Sequence, residues 1–450
     1  MKLKAMLLLP FLGAACAFGK PTDYPSAGEA ILDKILGKFR NAGQGGLYAE
    51  KIDAAGNIVT DNNGVSFVWP ASHLLRALRW GFKENPDKYR TAFHDFVFSV
   101  YRYKSSGSGG AGRQGYAVLP GSVDRFYDDN AVMNVEMALA YAELREAPVL
   151  ADARMAYDFC SLDHDADWGI PQKPEELGQG KFYSMAVSPV GHGAAILHRL
   201  SGDAILLTDA VQFYRHVNDS TNLLKDTVTG LFNQFTFKVN GTWSYTKSVG
   251  GILLNGQGQR AYQTTYVLRQ ALELYAATHE AHYRTDAEAM MKACLKAFYA
   301  PGKGLREDAF WGGDDMVDAL EDLYEATGDL AWHAYAKDIV GFLVTYGKDS
   351  QGWYPSDEDD AKGDWNLDRR QVLPGTIFIM GQSAAAAAIL RVAFHEAHPT
   401  VAILPSAPGS RLRRRREGRD YLLDGRVRDS GRANQDDARD AWLPGINRLW

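Results

Sequence analysis

The feature that most constrains the fold is a recurrence. Six segments carry apolar residues at helical spacing: Ala71 to Phe82, Val132 to Leu144, Pro189 to Leu200, Thr265 to Thr278, Met316 to Thr327 and Gln382 to Ala397. Several end alike. His198-Arg199-Leu200-Ser201-Gly202-Asp203 parallels Leu323-Tyr324-Glu325-Ala326-Thr327-Gly328-Asp329, and Leu274-Tyr275-Ala276-Ala277-Thr278-His279-Glu280 is a third version. A glycine there stops one helix in the left-handed conformation and an aspartate caps the next. A second helical segment follows, as in Ala331 to Tyr346, and then a glycine-aromatic loop such as Gly46-Leu47-Tyr48, Gly230-Leu231-Phe232, Gly304-Leu305 or Gly352-Trp353-Tyr354.

The period is roughly 50 to 70 residues, that of a repeated helical hairpin. Six hairpins predict an all-α fold, an (α/α)6 barrel with one ring of helices inside another and a cleft lined by the loops at one end. An open solenoid would repeat in the same way, and the count of six favours closure.

The repeat occupies the middle of the chain. At the start, Lys2 and Lys4 precede an apolar run from Ala5 to Ala17, followed by small residues at Ala15-Cys16-Ala17. This reads as a secretory leader over residues 1–19, too short to remain as a membrane anchor. The catalytic domain is expected over residues 20–400. From about Ser406 the periodicity is lost and arginines crowd the chain, including Arg413 to Arg416, so residues 401–450 read as a solvated, disordered tail. Removing the leader removes Cys16 and leaves Cys160 and Cys294, either as one disulfide or as two buried thiols. Asn218-Asp219-Ser220 and Asn240-Gly241-Thr242 are glycosylation sequons that fit a secreted, extracellular or wall-associated protein. A formal net charge of -6 gives no reason to expect nucleic acid as a partner.

The most informative segment is Val123-Asp124-Arg125-Phe126-Tyr127-Asp128-Asp129-Asn130-Ala131. It lies just before an apolar periodic helix, so Asp128 and Asp129 fall where the helix dipole and free amides stabilise a carboxylate. Capping accounts for one such acid; two in succession ask for more. Retaining glycoside cleavage needs two carboxyls roughly 5 Å apart, one attacking the anomeric carbon and one protonating the leaving oxygen. Neighbouring residues at a helix start can meet that distance, and their mutual repulsion would keep one protonated.

The Tyr127-Asp128-Asp129-Asn130-Ala131 run, after Val123-Asp124-Arg125, resembles the signature of glycoside hydrolase family 76, which comprises endo-acting α-1,6-mannanases and related fungal wall proteins on an (α/α)6 barrel. The resemblance extends from about Gly46 to Ala397. Gly46-Leu47-Tyr48-Ala49-Glu50 is similar to the opening loop, Lys181 and Ser184 with Val187 to Asp203 to the third inner helix, and Tyr262-Gln263-Thr264 to a later helix start. It implies Asp128 as nucleophile, Asp129 as general acid/base, and hydrolysis with retention by a monomer acting on α-mannan or mannose oligosaccharides. No metal or organic cofactor is implied. Tyr127, Asn130, Trp168, Tyr183, Tyr262, Gln263 and Trp311 are the candidate sugar contacts. The chain departs from the pattern at Val132 and Met133, where Trp is common, and at Met185 and Gln263, where Asn is usual.

Other acidic clusters read differently. Asp314-Asp315 is taken as the capped start of a later helix. Asp163, Asp165 and Asp167 alternate as in a calcium loop, but the glycine is displaced to Gly169 and Pro174 stands where the closing Glu belongs. Asp357 to Asp360 reads as a solvated loop. His192 and His198 make no metal-ligand set with a nearby acid. Three rival readings remain: a non-catalytic mannan- or wall-binding protein, a wall-remodelling transglycosidase, and another helical-barrel enzyme such as an unsaturated glucuronyl hydrolase, which would use one dominant carboxylate and basic residues in the cleft to hold a uronate.

Overall fold

The computed structural model describes residues 22–107, 112–245, 248–249, 252–253, 259–306, 312–354, 365, 375–399, 413–416 and 419–422. Residues 1–19, expected as a leader, Trp311 and Asp357 to Asp360 lie outside the described residues. Two compact units are distinguished, residues 1–402 and 403–450. In the second, Arg413–Arg416 pairs antiparallel with Arg419–Leu422.

The first unit is built from helices α1 (Tyr24–Lys38), α2 (Val68–Glu84), α3 (Pro86–Ser99), α4 (Tyr127–Leu144), α5 (Ala147–Ser161), α6 (Ser184–Ser201), α7 (Ala204–Asn218), α8 (Ala261–Thr278), α9 (Ala281–Phe298), α10 (Gly313–Thr327), α11 (Leu330–Phe342) and α12 (Ile379–Ala397). Each of the six periodic segments is an even-numbered helix. These six pack in the cyclic order α2, α4, α6, α8, α10, α12 and back to α2, so the ring is closed. The odd-numbered helices pack outside them, giving the (α/α)6 barrel.

Sequence explains which helices go inside. Along α12 every residue from Ile379 to His395 is buried, as befits a helix covered on all sides. The outer α9 buries only Tyr283, Ala287, Met290, Met291, Cys294 and Phe298, a single stripe at helical spacing. Glycines let the inner ring close tightly: a Cβ at Gly191 of α6 would strike the Gln270 amide of α8, and one at Gly193 the Asn134 amide of α4. The hairpin turns work as their sequences indicate. Gly202, His279 and Gly328 adopt the left-handed conformation at the ends of α6, α8 and α10, and Asp203 and Asp329 cap the helices that follow. Glycine-aromatic loops then fold back as short bridges, Arg40 with Tyr48 and Lys225 with Phe232, and bury Leu47, Phe232 and Leu305.

The inner helices start three to five residues earlier than their apolar periodicity. Those extra first turns, which carry Trp69, Tyr127, Asp128, Asp129, Tyr262, Asp314 and Asp315, meet at one end of the barrel. Lys181–Tyr183, Phe235–Val239 and Thr242–Tyr245 form a small antiparallel sheet there beside α6. Lys51–Asp53 pairs with Thr376–Phe378 and ties the first hairpin to the last. Cys160 and Cys294 are both buried thiols, on α5 and α9.

Candidate active site

Asp128 and Asp129 are the second and third residues of α4. Asp128 is buried and Asp129 half-buried. The helix start is fixed from outside the pair. The Tyr127 backbone N–H donates to the Gln172 carbonyl at 2.8 Å, and the Cys160 thiol donates to the Tyr127 carbonyl. The side chain of Asn130 pairs with the backbone of Tyr116 in both directions, at 2.6 and 2.8 Å, and donates to the Phe126 carbonyl. The Tyr127 hydroxyl points to Asp163 at 2.5 Å, and Asp163 is also held by Arg113.

The two carboxyls stand in different surroundings. The Asp128 carboxylate accepts the backbone N–H of Asp129 at 3.0 Å and the side-chain amide of Gln172 at 3.4 Å. Burial pushes its pKa up to about 6 against these donors, and Glu176 adds to the rise. Among the described residues none donates to the Asp129 carboxyl. Burial, and then the charge of Asp128, drive Asp129 well above the ordinary carboxylate range. The pair therefore titrates in two steps, with Asp128 ionising first and Asp129 keeping its proton.

Aromatic side chains from three other inner helix starts complete the site. The hydroxyls of Tyr183 and Tyr262 lie 3.4 Å apart, and the Gln234 amide donates to both, at 3.1 and 3.4 Å. The Tyr183 ring stacks on Phe235 with centroids 4.3 Å apart, and Trp69 of α2 meets Tyr262 edge-on at 6.1 Å. Burial raises both phenols, and Asp128 adds to each rise, so they face it as protonated hydroxyls. Gly312, at φ 103°, brings the backbone before α10 against Tyr262, where a Cβ would meet the Tyr262 Cβ at 2.6 Å.

Asp128, Asp129, Tyr183 and Tyr262 are thus brought together. Tyr127 and Asn130 flank them in sequence, but their polar atoms face Asp163 and the Tyr116 backbone. Trp168 stacks on His164 and meets Phe213 of the outer helix α7. Gln263 accepts the Arg260 backbone N–H and caps α8. Met185 and the Val132-Met133 pair are buried in the core. Trp353 packs against Phe39 and under Lys34 of α1. His192 is a buried core side chain against Tyr266. No calcium loop forms at Asp163 to Asp167: Asp163 faces Tyr127, Asp165 accepts two local backbone N–H groups, and Asp167 pairs with Lys238.

Asp314-Asp315 does more than start a helix. Asp314 accepts from His73 and Arg76 at 2.9 and 2.8 Å, and Asp315 from Arg76 at 2.6 Å. Arg76 also reaches Glu136 of α4 at 2.8 Å, while Arg391 of α12 holds Asp318 at 2.8 Å. This buried ion cluster links α2, α4, α10 and α12 across the ring. The pattern at Asp314 was visible in the sequence; its partners, more than two hundred residues away, were not. Gln172, Glu176 and Gln234 carry no sequence signal, since they come from loops that only the fold brings to the pair.

No protein-family model matches the chain, and no curated protein sequence matches it. Solved structures do. The chain superposes on a family 76 glycoside hydrolase α-mannanase of Bacteroides thetaiotaomicron with a TM-score of 0.70 and 18% identity, over 84% of this chain and 97% of that one. An α-1,6-mannanase of Salegentibacter sp. HEL1_6 gives 0.64 and 14%, over 82% and 99%. That structure is of a variant made inactive by changing two consecutive aspartates to asparagine, in complex with α-1,6-mannotriose. Cellobiose 2-epimerase of Bacillus thermoamylovorans gives 0.60 and 11%, over 83% and 99%. At such identities the likeness concerns architecture, and one architecture here serves hydrolases and an epimerase alike. The chain has the (α/α)6 fold that the family 76 mannanases share with cellobiose 2-epimerase.

Proposed function

We propose that this protein is a glycoside hydrolase of the family 76 type, cleaving α-1,6-mannosidic linkages within mannan with retention of configuration. The observation that carries the reading is the split environment of two adjacent carboxyls at the start of α4. Asp128 is hydrogen-bonded as an anion, and Asp129 is left as an acid. The Salegentibacter enzyme, disabled by changes at two consecutive aspartates and bound to α-1,6-mannotriose, supports both the chemistry and the substrate.

In the first step an Asp128 oxygen attacks the anomeric carbon as the bond to the leaving oxygen breaks, and Asp129 gives that oxygen its proton. In the second, ionised Asp129 takes a proton from water. The water oxygen attacks the same carbon, and the ester to Asp128 breaks. Tyr183 and Tyr262, protonated and turned toward Asp128, are placed to donate to sugar hydroxyls. The cations near the pair are engaged: Lys181 pairs with Glu176 at 2.7 Å, and Arg125 binds the backbone carbonyls of Ser105, Gly107 and Arg113. A neutral sugar suits this site better than a uronate.

Secretion belongs to the same proposal. It rests on the leader and on Asn240, an exposed residue in the turn between two strands at φ 50°. The other sequon's Asn218 has its side chain engaged with Tyr214 and Lys225, so Asn240 is the better acceptor.

The test is reducing-sugar release from linear α-1,6-mannan by the parent, Asp128→Asn and Asp129→Asn proteins. Turnover by the parent that both changes abolish would support the reading. A folded parent that binds the glycan without cleaving it would replace the enzyme with a mannan-binding protein.

A further inference from the structure

We propose that Gln172 is a positioning residue for Asp128, and that Glu176 and Lys181 hold it in place as one relay. This rests on the reading of Asp128 as the nucleophile.

Gln172 lies in the loop between α5 and α6 and makes three bonds with three different tasks. Its carbonyl accepts the Tyr127 N–H at 2.8 Å and so fixes the first residue of α4. Its own N–H donates to Glu176 Oε2 at 3.1 Å. Its side-chain Nε2 donates to Asp128 Oδ2 at 3.4 Å. Glu176 is anchored in turn: its Oε1 accepts from Lys181 Nζ at 2.7 Å. Lys181 lies over the Phe235 ring, 4.5 Å from its centroid, and Phe235 stacks on Tyr183. The loop is thereby tied at one end to the helix that carries the carboxyl pair and at the other to the sheet that carries Tyr183.

The consequence for Asp128 is geometric. Oδ1 is held by the Asp129 N–H and Oδ2 by Gln172, so rotation of the carboxylate about its own bond breaks one of the two. A nucleophile must meet the anomeric carbon in one orientation, and a misplacement of about 1 Å can cost on the order of a hundredfold in rate. The 3.4 Å bond is long, as such bonds often are before substrate tightens the site.

The relay also carries opposed electrical effects. Gln172 stabilises the anion, whereas Glu176, kept nearby by the same loop, opposes it. The other titratable groups facing Asp128 are Asp129 on α4, the Cys160 thiol on α5, Tyr183 at the start of α6 and Tyr262 on α8. The Cys160 thiol and both phenols are raised by burial and stay neutral over the working range, so Glu176 and Asp129 are the neighbours whose charge matters.

The experiment compares the full-length parent with Gln172→Ala, Gln172→Glu, Glu176→Gln and Asp128→Asn on linear α-1,6-mannan across pH. The Gln172 substitutions keep both backbone bonds, so the helix start survives. For Gln172→Ala the expectation is a 10- to 100-fold fall in kcat with KM within about threefold, and an acidic limb of kcat/KM shifted up by about one pH unit. Gln172→Glu, of the same shape but negative, moves that limb further up. Glu176→Gln moves it down, because a negative charge is lost and Lys181 is released. A scaffolding role would not move the limb in opposite directions. If Asp128→Asn is inactive while Gln172→Ala keeps the parent's kcat and acidic limb, or if all shifts run one way, the relay is wrong and the nucleophile stands. If Asp128→Asn turns over like the parent, the nucleophile assignment itself fails.

Discussion

The chain contains two Asp-Asp pairs in the same structural position, and the fold gives them different surroundings. Asp128-Asp129 and Asp314-Asp315 each lie in the first turn of an inner helix, with the same dipole and the same orphan amides within reach. Around Asp314-Asp315 stand His73 and Arg76. Burial opposes ionisation there too, but His73 and Arg76 overcome it at Asp314 and hold its carboxyl below the ordinary range, whereas at Asp315 burial still wins. Around Asp128-Asp129 no cation makes contact among the described residues, and both carboxyls are raised. A helix N-terminus therefore selects where acids go; the side chains packed around them decide whether a carboxyl is held as a paired anion or pushed toward its protonated form.

The largest effect expected from this contrast is on turnover. Asp128→Asn should lower kcat on α-1,6-mannan by about 10⁴-fold or more, as loss of an essential nucleophile does, with mannotriose binding retained. Asp129→Asn should cost about 10² to 10⁴-fold, the usual share of an acid/base. Single-turnover rates set beside calorimetric binding would decide it; equal losses in binding and turnover would make the pair a sugar-holding site.

The second effect falls on the other pair. Asp314→Asn removes a carboxylate from a buried guanidinium and imidazole, which costs about 3 kcal/mol when one partner of a buried pair is lost. Urea unfolding should show the midpoint falling while the folded variant still turns over. A variant as stable as the parent but inactive would mean that Asp314 works in the cleft and that the contrast between the pairs has been drawn in the wrong place.

How much of this was legible depended on range. The six inner helices were readable because apolar periodicity is local, and their Gly-Asp endings because capping acts within a few residues. Their first turns were not, since polar residues such as Asp128 to Asn130, and Gly313 to Asp315, break the apolar pattern where hydrogen bonding and ion pairing replace apolar packing. The carboxyl pair was readable as a motif, but its neighbours Tyr127 and Asn130, read as sugar contacts, turn their polar atoms to Asp163 and the Tyr116 backbone and hold the helix start. Trp168 looked like a stacking platform because it is aromatic and in a loop; the loop turns it onto Phe213. Partners that share no stretch of chain, such as Arg76 with Asp314 or Gln172 with Asp128, leave no trace in spacing.

A third effect runs against intuition. The Asp128 pKa is raised in the folded protein to about 6, against about 3.9 unfolded. The native state therefore binds the extra proton between those values, and stability falls as pH rises through that window. At pH 7 to 8 the shift corresponds to roughly 1–3 kcal/mol of strain carried by the site. Asp128→Asn should recover much of it, raising the thermal midpoint at pH 7.5, with the gain fading toward pH 4. Equal stability of parent and variant at both pH values would show that the pair is solvated well enough to ionise freely.

The smallest effect tests whether the two pairs are electrically separate. His73 gives Asp314 one of its two donors, at 2.9 Å, and Arg76 supplies the other. His73→Gln should therefore cost only about 1 kcal/mol, a single hydrogen bond's worth. Between the two sites stand Trp69 and Tyr262, with Trp69 6.4 Å from His73 and 6.1 Å from Tyr262, ring centre to ring centre. The Asp314 cluster also keeps Arg76 whatever happens at His73. The acidic limb of kcat/KM, which reports Asp128, should then stay where it is. If the limb moves when His73 is replaced, the second pair tunes the first through the aromatic wall, and the barrel holds one field of four carboxyls rather than two independent pairs.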